Sequence, residues 1–131
     1  MKNMKNEFIP YEQALAMKEL GFNKPCFGYY SGGENYISEE GKTNSSCNKP
    51  DMRGKYCTAP TYRQAFRWFR EKHKLDSTVQ PTYSTKYQYR MFHIEVKTKV
   101  QIYGAHMGKE FKTYEEAELA CLDKLIEICE P

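Results

Sequence analysis

Apolar residues recur with helical spacing in three stretches of the chain. The first stretch runs from Ile9 to Phe22, has Pro10 in its opening turn and ends at Gly21. A glycine at this position favours the left-handed conformation of a Schellman cap, which folds the following Phe22 back onto Met17. The pattern therefore predicts a first helix whose C-terminal cap places Phe22 and Met17 in the core.

The second stretch predicts a helix from about Pro60 to Lys74, with Thr58 as its candidate N-cap. At about 100° per residue, its apolar and cationic positions fall on two neighbouring stripes. Trp68 lies outside both, about 100° from the predicted core direction, so it is either an exposed protein-binding anchor or an edge residue covered by a loop. The apolar stripe consists of Tyr62, Ala65, Phe66, Phe69 and His73.

The third stretch predicts a helix that begins after Thr113. The segment Thr113–Glu116 matches a capping box, in which the threonine hydroxyl accepts a hydrogen bond from the Glu116 amide and the Glu116 side chain reaches back. A broad apolar face indicates that this helix packs on the core. That face consists of Tyr114, Cys121, Leu122, Leu125, Ile126 and Cys129.

Two regions between the helices have the composition of β-hairpins. Aromatic runs at Phe27–Tyr30 and Tyr36–Ser38 flank a Gly-Gly turn, which predicts one hairpin. From Tyr83 to Ala105 apolar residues alternate, and a change of parity near Met91 predicts a bulge or a shift of the exposed face. A turn at Lys97–Lys99 favours two antiparallel strands here over one longer strand.

These elements give the order α-ββ-α-ββ-α, which predicts an α+β fold with helices packed on antiparallel hairpins. At 131 residues the chain has the length of one ordinary domain, so we expect a single domain over residues 1–131. Apolar residues make up 40% of the chain and aromatic residues 15%, which excludes a disordered polymer. Residues 39–56 lack periodicity and predict a long, exposed, basic loop.

Composition and motifs argue against several functional classes. The chain has no run of about 18 apolar residues and no apolar stretch behind its charged N-terminus, so we expect neither secretion nor a membrane span, but a cytoplasmic location. Five cysteines without a recognisable framework predict free thiols. No local enzyme, cofactor or metal motif occurs, which predicts a non-enzymatic protein without cofactor or metal. The alternative is that Cys47 and Cys57 assemble with His73, His93 or His106 into a metal site or a thiol–imidazole pair.

The net charge of +3 conceals an uneven distribution. Lys42–Lys74 contains nine lysines and arginines against two acids, whereas Glu110–Pro131 contains seven acids against two lysines. A cationic stripe on the second helix predicts contact with RNA, a nucleotide or an acidic protein face, because arginine binds phosphate or carboxylate through two parallel hydrogen bonds. The alternative is a solvated helix face, partly neutralised by an Arg67–Glu71 pair. The predicted binding residues are Arg63, Arg67, Arg70 and Lys74, the loop cations Arg53 and Lys55, and Trp68.

Four segments resemble small proteins of Bacteroidetes and of their phages and prophages. These segments are Phe8–Leu15, Lys24–Tyr30, Tyr62–Lys72 and Thr113–Leu122, and the resemblance covers most of the chain apart from residues 39–56. The resemblance implies a biological setting but no activity, so it identifies no functional residues in this chain. Small proteins of mobile elements often act stoichiometrically on host machinery, including CRISPR nucleases and nucleotide-signalling defences.

The leading hypothesis is therefore a stoichiometric inhibitor of a bacterial defence system, an anti-CRISPR type of protein, with an RNA-guided type VI-B nuclease as its candidate target. Two alternatives come from other functional classes. An RNA-binding module would use the cationic stripe of the second helix and would lose affinity steeply with salt. A nucleotide-sequestering protein would instead have a concave pocket lined by arginine and tyrosine.

Overall fold

A computed structural model of the chain describes residues 7–31, 34–37, 57–93, 100–103 and 109–131. These residues form an α+β fold, as predicted, with antiparallel sheets and helices. No helix in the described ranges is long and apolar enough to cross a bilayer. The elements are α1 (Tyr11–Glu19), β1 (Gly28–Ser31), β2 (Glu34–Ile37), β3 (Cys57–Ala59), α2 (Tyr62–Lys72), β4 (Leu75–Pro81), β5 (Tyr87–His93), β6 (Val100–Tyr103) and α3 (Tyr114–Cys129).

The chain divides into two compact units, Met1–Ala65 and Phe66–Pro131, and the boundary falls within α2. Each unit contains one three-stranded antiparallel sheet, in the order β2-β1-β3 in the first unit and β4-β5-β6 in the second. The central strand is therefore β1 in the first unit and β5 in the second. The assignment of residues 1–131 to a single domain stays a prediction.

The sheet of the first unit confirms the predicted hairpin and adds a strand. β1 and β2 pair antiparallel from Gly28 opposite Ile37 to Ser31 opposite Glu34. β3 pairs with the other edge of β1 and was not predicted, because its three residues follow directly on the region assigned to a loop. The predicted loop at residues 39–56 lies outside the described residues.

The C-terminal cap of α1 confirms the predicted Schellman motif. Gly21 has φ of 100°, and the Phe22 amide donates to the Met17 carbonyl at 2.9 Å. Met17 and Phe22 are both buried. The helix begins one residue later than expected, since Pro10 is its N-cap and not part of its first turn.

The segment before α1 packs on the sheet of the first unit. The Ile9 amide donates to the Pro60 carbonyl at 3.0 Å, and the Tyr30 hydroxyl donates to the Ile9 carbonyl at 2.6 Å. The buried Phe8 ring lies over Gly28, so closely that a Cβ atom there would be 2.9 Å from a ring carbon. Gly28 is thus required by the close approach of an aromatic ring to the central strand.

The N-terminal cap of α2 corrects the sequence prediction. The Thr61 hydroxyl accepts from the Gln64 amide at 3.2 Å, and the Gln64 side-chain oxygen accepts from the Thr61 amide at 3.0 Å. This reciprocal pair is a capping box with Thr61 as the N-cap. The prediction of Thr58 as the cap was wrong, because Thr58 lies in β3 and is fully buried.

The sheet of the second unit confirms one predicted pairing and adds another. β5 and β6 are antiparallel, and their register shifts between Met91 and Phe92, at the predicted change of parity. The predicted turn at Lys97–Lys99 lies outside the described residues. β4 pairs with the other edge of β5 along its whole length, from Leu75 opposite His93 to Pro81 opposite Tyr87, and was not predicted.

The capped helix α3 covers this sheet. The Thr113 hydroxyl accepts from the Glu116 amide at 3.1 Å, which confirms the predicted N-cap. The helix contacts β4 and β5. Tyr114 and Cys129, at the two ends of the predicted apolar face, are only partly covered. Its buried side chains are Ala117, Cys121, Leu122, Leu125 and Ile126.

The turn between β4 and β5 is tied to the segment that leads into α3. Tyr87 and Phe111 exchange two backbone hydrogen bonds of 2.8 Å. One carboxylate oxygen of Glu110 accepts from both the Thr82 hydroxyl, at 3.0 Å, and the Ser84 hydroxyl. The bonds from Ser84 and Thr82 lower the pKa of the Glu110 carboxyl, because they stabilise its ionised form.

We expect Gly28→Ala to lower the free energy of unfolding by about 1–3 kcal/mol, because the new methyl group overpacks against the buried Phe8 ring. Urea denaturation followed by circular dichroism measures the loss. Phe8→Leu in the Gly28→Ala background makes room for the methyl group, so the double variant should be more stable than the two single losses add up to. A Gly28→Ala variant as stable as the parent would contradict this packing.

We expect Glu110→Gln to lower the melting temperature at neutral pH but not in acid. Because the folded-state pKa of Glu110 is lowered, its contribution to stability is present above the unfolded-state pKa and is lost as the pH falls through the folded-state value. The melting temperatures of parent and variant should therefore converge on acidification. Glu130→Gln, at an exposed position beyond α3, is the matched control. A pH-independent difference would show that the hydroxyl bonds do not depend on the charge.

Candidate functional site

Three arginines form an exposed row on α2. Arg63, Arg67 and Arg70 are spaced by four and three residues, and all three side chains are exposed. Residues at these spacings are neighbours on a helix surface, so the row spans roughly 10 Å along the axis. We call these three residues the arginine ridge. The sequence predicted all three, and the structure brings them together on one helix.

The buried face of α2 lies on the side opposite to the arginine ridge. Ala65, Trp68 and Phe69 are buried, and at about 100° per residue their shared direction is about 180° from the ridge. Of the two alternatives for Trp68, the structure favours a covered residue over an exposed anchor, since Trp68 is 5% exposed. Its ring contacts the rings of Phe69 and His73 edge-on, with centroids 5.1 and 4.9 Å away.

Lys74 does not belong to the ridge. α2 ends at Lys72, the amide of His73 still donates to the Phe69 carbonyl, and Lys74 then has φ of 57°. This left-handed residue redirects the chain into β4. The prediction that the helix extends to Lys74 was wrong by two residues, and the part of Lys74 in the cationic stripe stays a prediction.

One arginine of the ridge is partly neutralised. The Arg67 Nε atom lies 3.2 Å from a carboxylate oxygen of Glu71, and the two side chains are 68% and 58% exposed. An exposed pair of this kind contributes up to about 0.5 kcal/mol. Within the described part of the chain neither Arg63 nor Arg70 has an acidic partner, so the ridge keeps two uncompensated guanidinium groups.

Two predicted binding residues and two predicted site residues fall outside the described ranges. Arg53 and Lys55 belong to residues 38–56, so the extension of the ridge by loop cations stays a prediction. Cys47 and His106 are also outside, and the His93 side chain is not described. The metal or thiol–imidazole alternative can therefore be followed only at Cys57 and His73.

The described cysteines are free, and three of them are buried. Burial raises the pKa of Cys26 to about 12 and that of Cys121 also to about 12, where a hydrogen bond with Ser77 opposes the rise only in part. Burial and the neighbouring Lys72 lower the pKa of His73. Among the described side chains no group of three or more His, Cys, Asp or Glu is arranged to hold a metal ion.

A groove in the second unit was not predicted. It has a volume of about 280 Å³ and is lined by Phe66, Ser77, Thr78, Val79 and Tyr114. Its three elements are α2, β4 and the first turn of α3. Sequence analysis missed it because β4 was not recognised, although the half-buried Phe66 already belonged to the predicted apolar stripe. No arginine is among its lining residues, in contrast to the pocket that the nucleotide hypothesis predicts.

No protein-family model, curated protein or solved structure matches the chain. The resemblance to small proteins of Bacteroidetes and their phages therefore stays a prediction. The arginine ridge and the groove, whose geometry the described residues define, are the two surface features that bear on function.

We expect Cys26 and Cys121 to resist alkylation in the folded protein. A thiol pKa of about 12 leaves roughly a thousandfold less thiolate at pH 8 than an ordinary cysteine has, and burial also excludes the reagent. Labelling with iodoacetamide, resolved by peptide mass spectrometry, measures the rate at each cysteine. The same protein in urea is the control, in which both should react fully. Rapid labelling of Cys26 or Cys121 in the native state would contradict their burial and their raised pKa.

Proposed function

We propose that the chain is a small non-enzymatic binding protein whose arginine ridge binds an acidic surface of a partner protein. The observation that carries this proposal is the alignment of three exposed arginines on α2, opposite to its buried face. A packed helix fixes the spacing of the three arginines along one side of its surface, and each guanidinium group can pair with a carboxylate through two parallel hydrogen bonds. Arginine is also one of the residues that contribute most to protein–protein binding.

The size of the ridge favours a protein partner over RNA. Three phosphate contacts would give a slope of only about −2 for the logarithm of affinity against the logarithm of salt concentration, which indicates weak binding. Proteins that bind single strands also stack bases on exposed aromatic rings. Trp68, the aromatic residue that follows Arg67 on α2, is buried. Exposed aromatic residues such as Tyr36 and Tyr83 lie off α2, so an RNA-binding function would need contacts beyond the ridge.

The groove in the second unit does not favour a nucleotide ligand. A nucleotide-sequestering protein needs cations in its pocket to bind phosphate, whereas this groove is lined by apolar and hydroxyl side chains. Its volume of about 280 Å³ also lies just below the range of about 300–1,000 Å³ for small-molecule pockets.

The resemblance to phage and prophage proteins supplies the proposed setting. We propose that the chain acts in the cytoplasm of a bacterial host as a stoichiometric inhibitor of a defence system, and that an RNA-guided type VI-B nuclease is the class of target to test first. A cationic ridge suits an acidic face of such a nuclease, or the guide RNA that the nuclease holds. Inhibition by occupancy needs no catalytic residue.

We expect a tagged parent protein to capture one partner from a Bacteroidetes lysate in an RNase-resistant complex, and a variant with Arg63, Arg67 and Arg70 changed to glutamate to lose it. Reversing the ridge charge places carboxylates against an acidic surface and repels it. Affinity capture with and without RNase, followed by mass spectrometry, measures the difference.

The matched control changes Lys24, Lys109 and Lys112 to glutamate. These exposed lysines lie off α2, and their reversal alters the net charge by the same amount. The control should keep the partner. Equal loss from both triple variants would reduce the effect to net charge, and diffuse capture that RNase abolishes would overturn the proposal in favour of RNA binding.

A further inference from the structure

β4 is an edge strand of the second sheet. It pairs with β5 from Leu75 to Pro81, and in the ranges that the structure describes no strand pairs with its other edge. Along any strand, alternate residues direct their N–H and C=O groups to the same side. Tyr87, opposite Pro81, exchanges its backbone bonds with Phe111, so the odd-numbered residues of β4 direct their N–H and C=O groups outwards. The Ser77 amide already donates to Asp76 Oδ1 at 3.0 Å and Pro81 has no N–H, so this edge offers another extended chain carbonyl acceptors and the Val79 amide.

The groove lies at this strand. Three consecutive residues of β4, Ser77 to Val79, line it, while Phe66 contributes an aromatic ring from α2 and Tyr114 another from α3. The Tyr114 ring is 43% exposed and is held by an edge-on contact with Tyr87, at a centroid distance of 5.9 Å. Phe66 and Val79 are half-buried, so an inserted apolar side chain would cover surface that is still exposed to water.

The charge beside the groove indicates which kind of ligand the groove binds. Arg70 follows Phe66 by four positions on α2, which places the two side chains on the same side of the helix in successive turns. Arg70 is exposed, and no acidic residue in the described ranges pairs with it. On the α3 side Glu115 follows Tyr114, so a carboxylate of the ligand is favoured only at the α2 side.

We infer that the groove binds an extended acidic segment of the partner protein, which adds to β4 as a further strand. This inference rests on the proposed function and names how the partner is recognised. An aliphatic side chain of the segment enters between Phe66 and Tyr114, and a carboxylate pairs with Arg70. Side chains two positions apart share one face of a strand, so the recognised pattern is an acid, any residue and an aliphatic residue.

β4 of a second copy does not match this pattern. It has one acidic residue, Asp76, and the positions two residues away from it are Lys74 and Thr78, neither of them aliphatic. An acidic segment of another protein therefore suits the groove better than pairing between two copies of β4 does.

The probe for this inference is the capped heptapeptide Thr-Glu-Thr-Leu-Thr-Ser-Thr, which places one carboxylate on the same face as its leucine. We expect it to bind at least about tenfold more tightly than versions with lysine for glutamate or serine for leucine, as measured by fluorescence anisotropy. Methylation of alternate backbone nitrogens should abolish binding while leaving the side chains unchanged. Amide NMR shifts should be largest at Ser77, Thr78 and Val79.

Two protein variants test the side-chain contacts. Phe66→Ala should weaken binding of the heptapeptide, and Arg70→Glu should reverse the preference so that the lysine version binds more tightly. Lys109→Glu is the matched control for charge and should keep the parent preference. Circular dichroism and thermal melting establish that each variant is folded.

Outcomes separate this inference from the proposed function. No detectable binding of the heptapeptide, unchanged binding after backbone methylation, or shifts away from β4 would overturn the strand-addition inference. The proposed function would still stand if the triple-glutamate variant of the ridge loses the partner. A ridge variant that keeps the partner would overturn the proposed function, whatever the peptide does.

Discussion

Burial of Trp68 fixes the rotation of α2 about its axis and, with it, the direction of the arginine ridge. The opposite side of the helix faces water because Ala65, Trp68 and Phe69 are buried. This exposed side carries Arg63, Arg67 and Arg70. A large aromatic side chain contributes a few kcal/mol when it is fully buried, whereas exposed arginines contribute little to folding. Rotating the helix to bury the ridge would expose the tryptophan and desolvate charges, so both costs oppose it.

Elements with local signals could be predicted from the sequence. Gly21 followed by Phe22 and Thr113 followed by Glu116 identify helix ends through contacts between neighbouring residues. β3 and β4 have no such signal, because β3 has only three residues and β4 is mostly polar. They form through pairing with β1 and β5, and these contacts join distant parts of the chain. Thr58 was taken for a helix cap for the same reason.

The candidate site likewise contains features that the sequence predicts and features that it does not. Spacing alone identified the three arginines of the ridge, since helical periodicity places them on one side wherever the helix packs. Two further features depend on how the helix packs against its neighbours, and the spacing of residues carries no information on that packing. These features are the end of α2 before Lys74 and the burial of Trp68. The groove needs Phe66, Val79 and Tyr114 from three separate elements, so no single sequence pattern could indicate it.

The ridge and the groove contribute differently to recognition. Exposed guanidinium groups act at a distance, raise the rate of encounter with an acidic surface and are weakened by salt, but they discriminate poorly between acidic partners. The groove discriminates by shape and by the backbone, because only an extended segment with a suitable apolar side chain can pair with β4 and reach Phe66. Arg70 belongs to the ridge and also lies beside the groove. The same charge therefore contributes both to the attraction of an acidic partner and to the selection of the segment that binds in the groove. A partner that matched the ridge alone would bind quickly and dissociate quickly, whereas one that also filled the groove would be retained, since differences in affinity between related complexes arise mainly from dissociation.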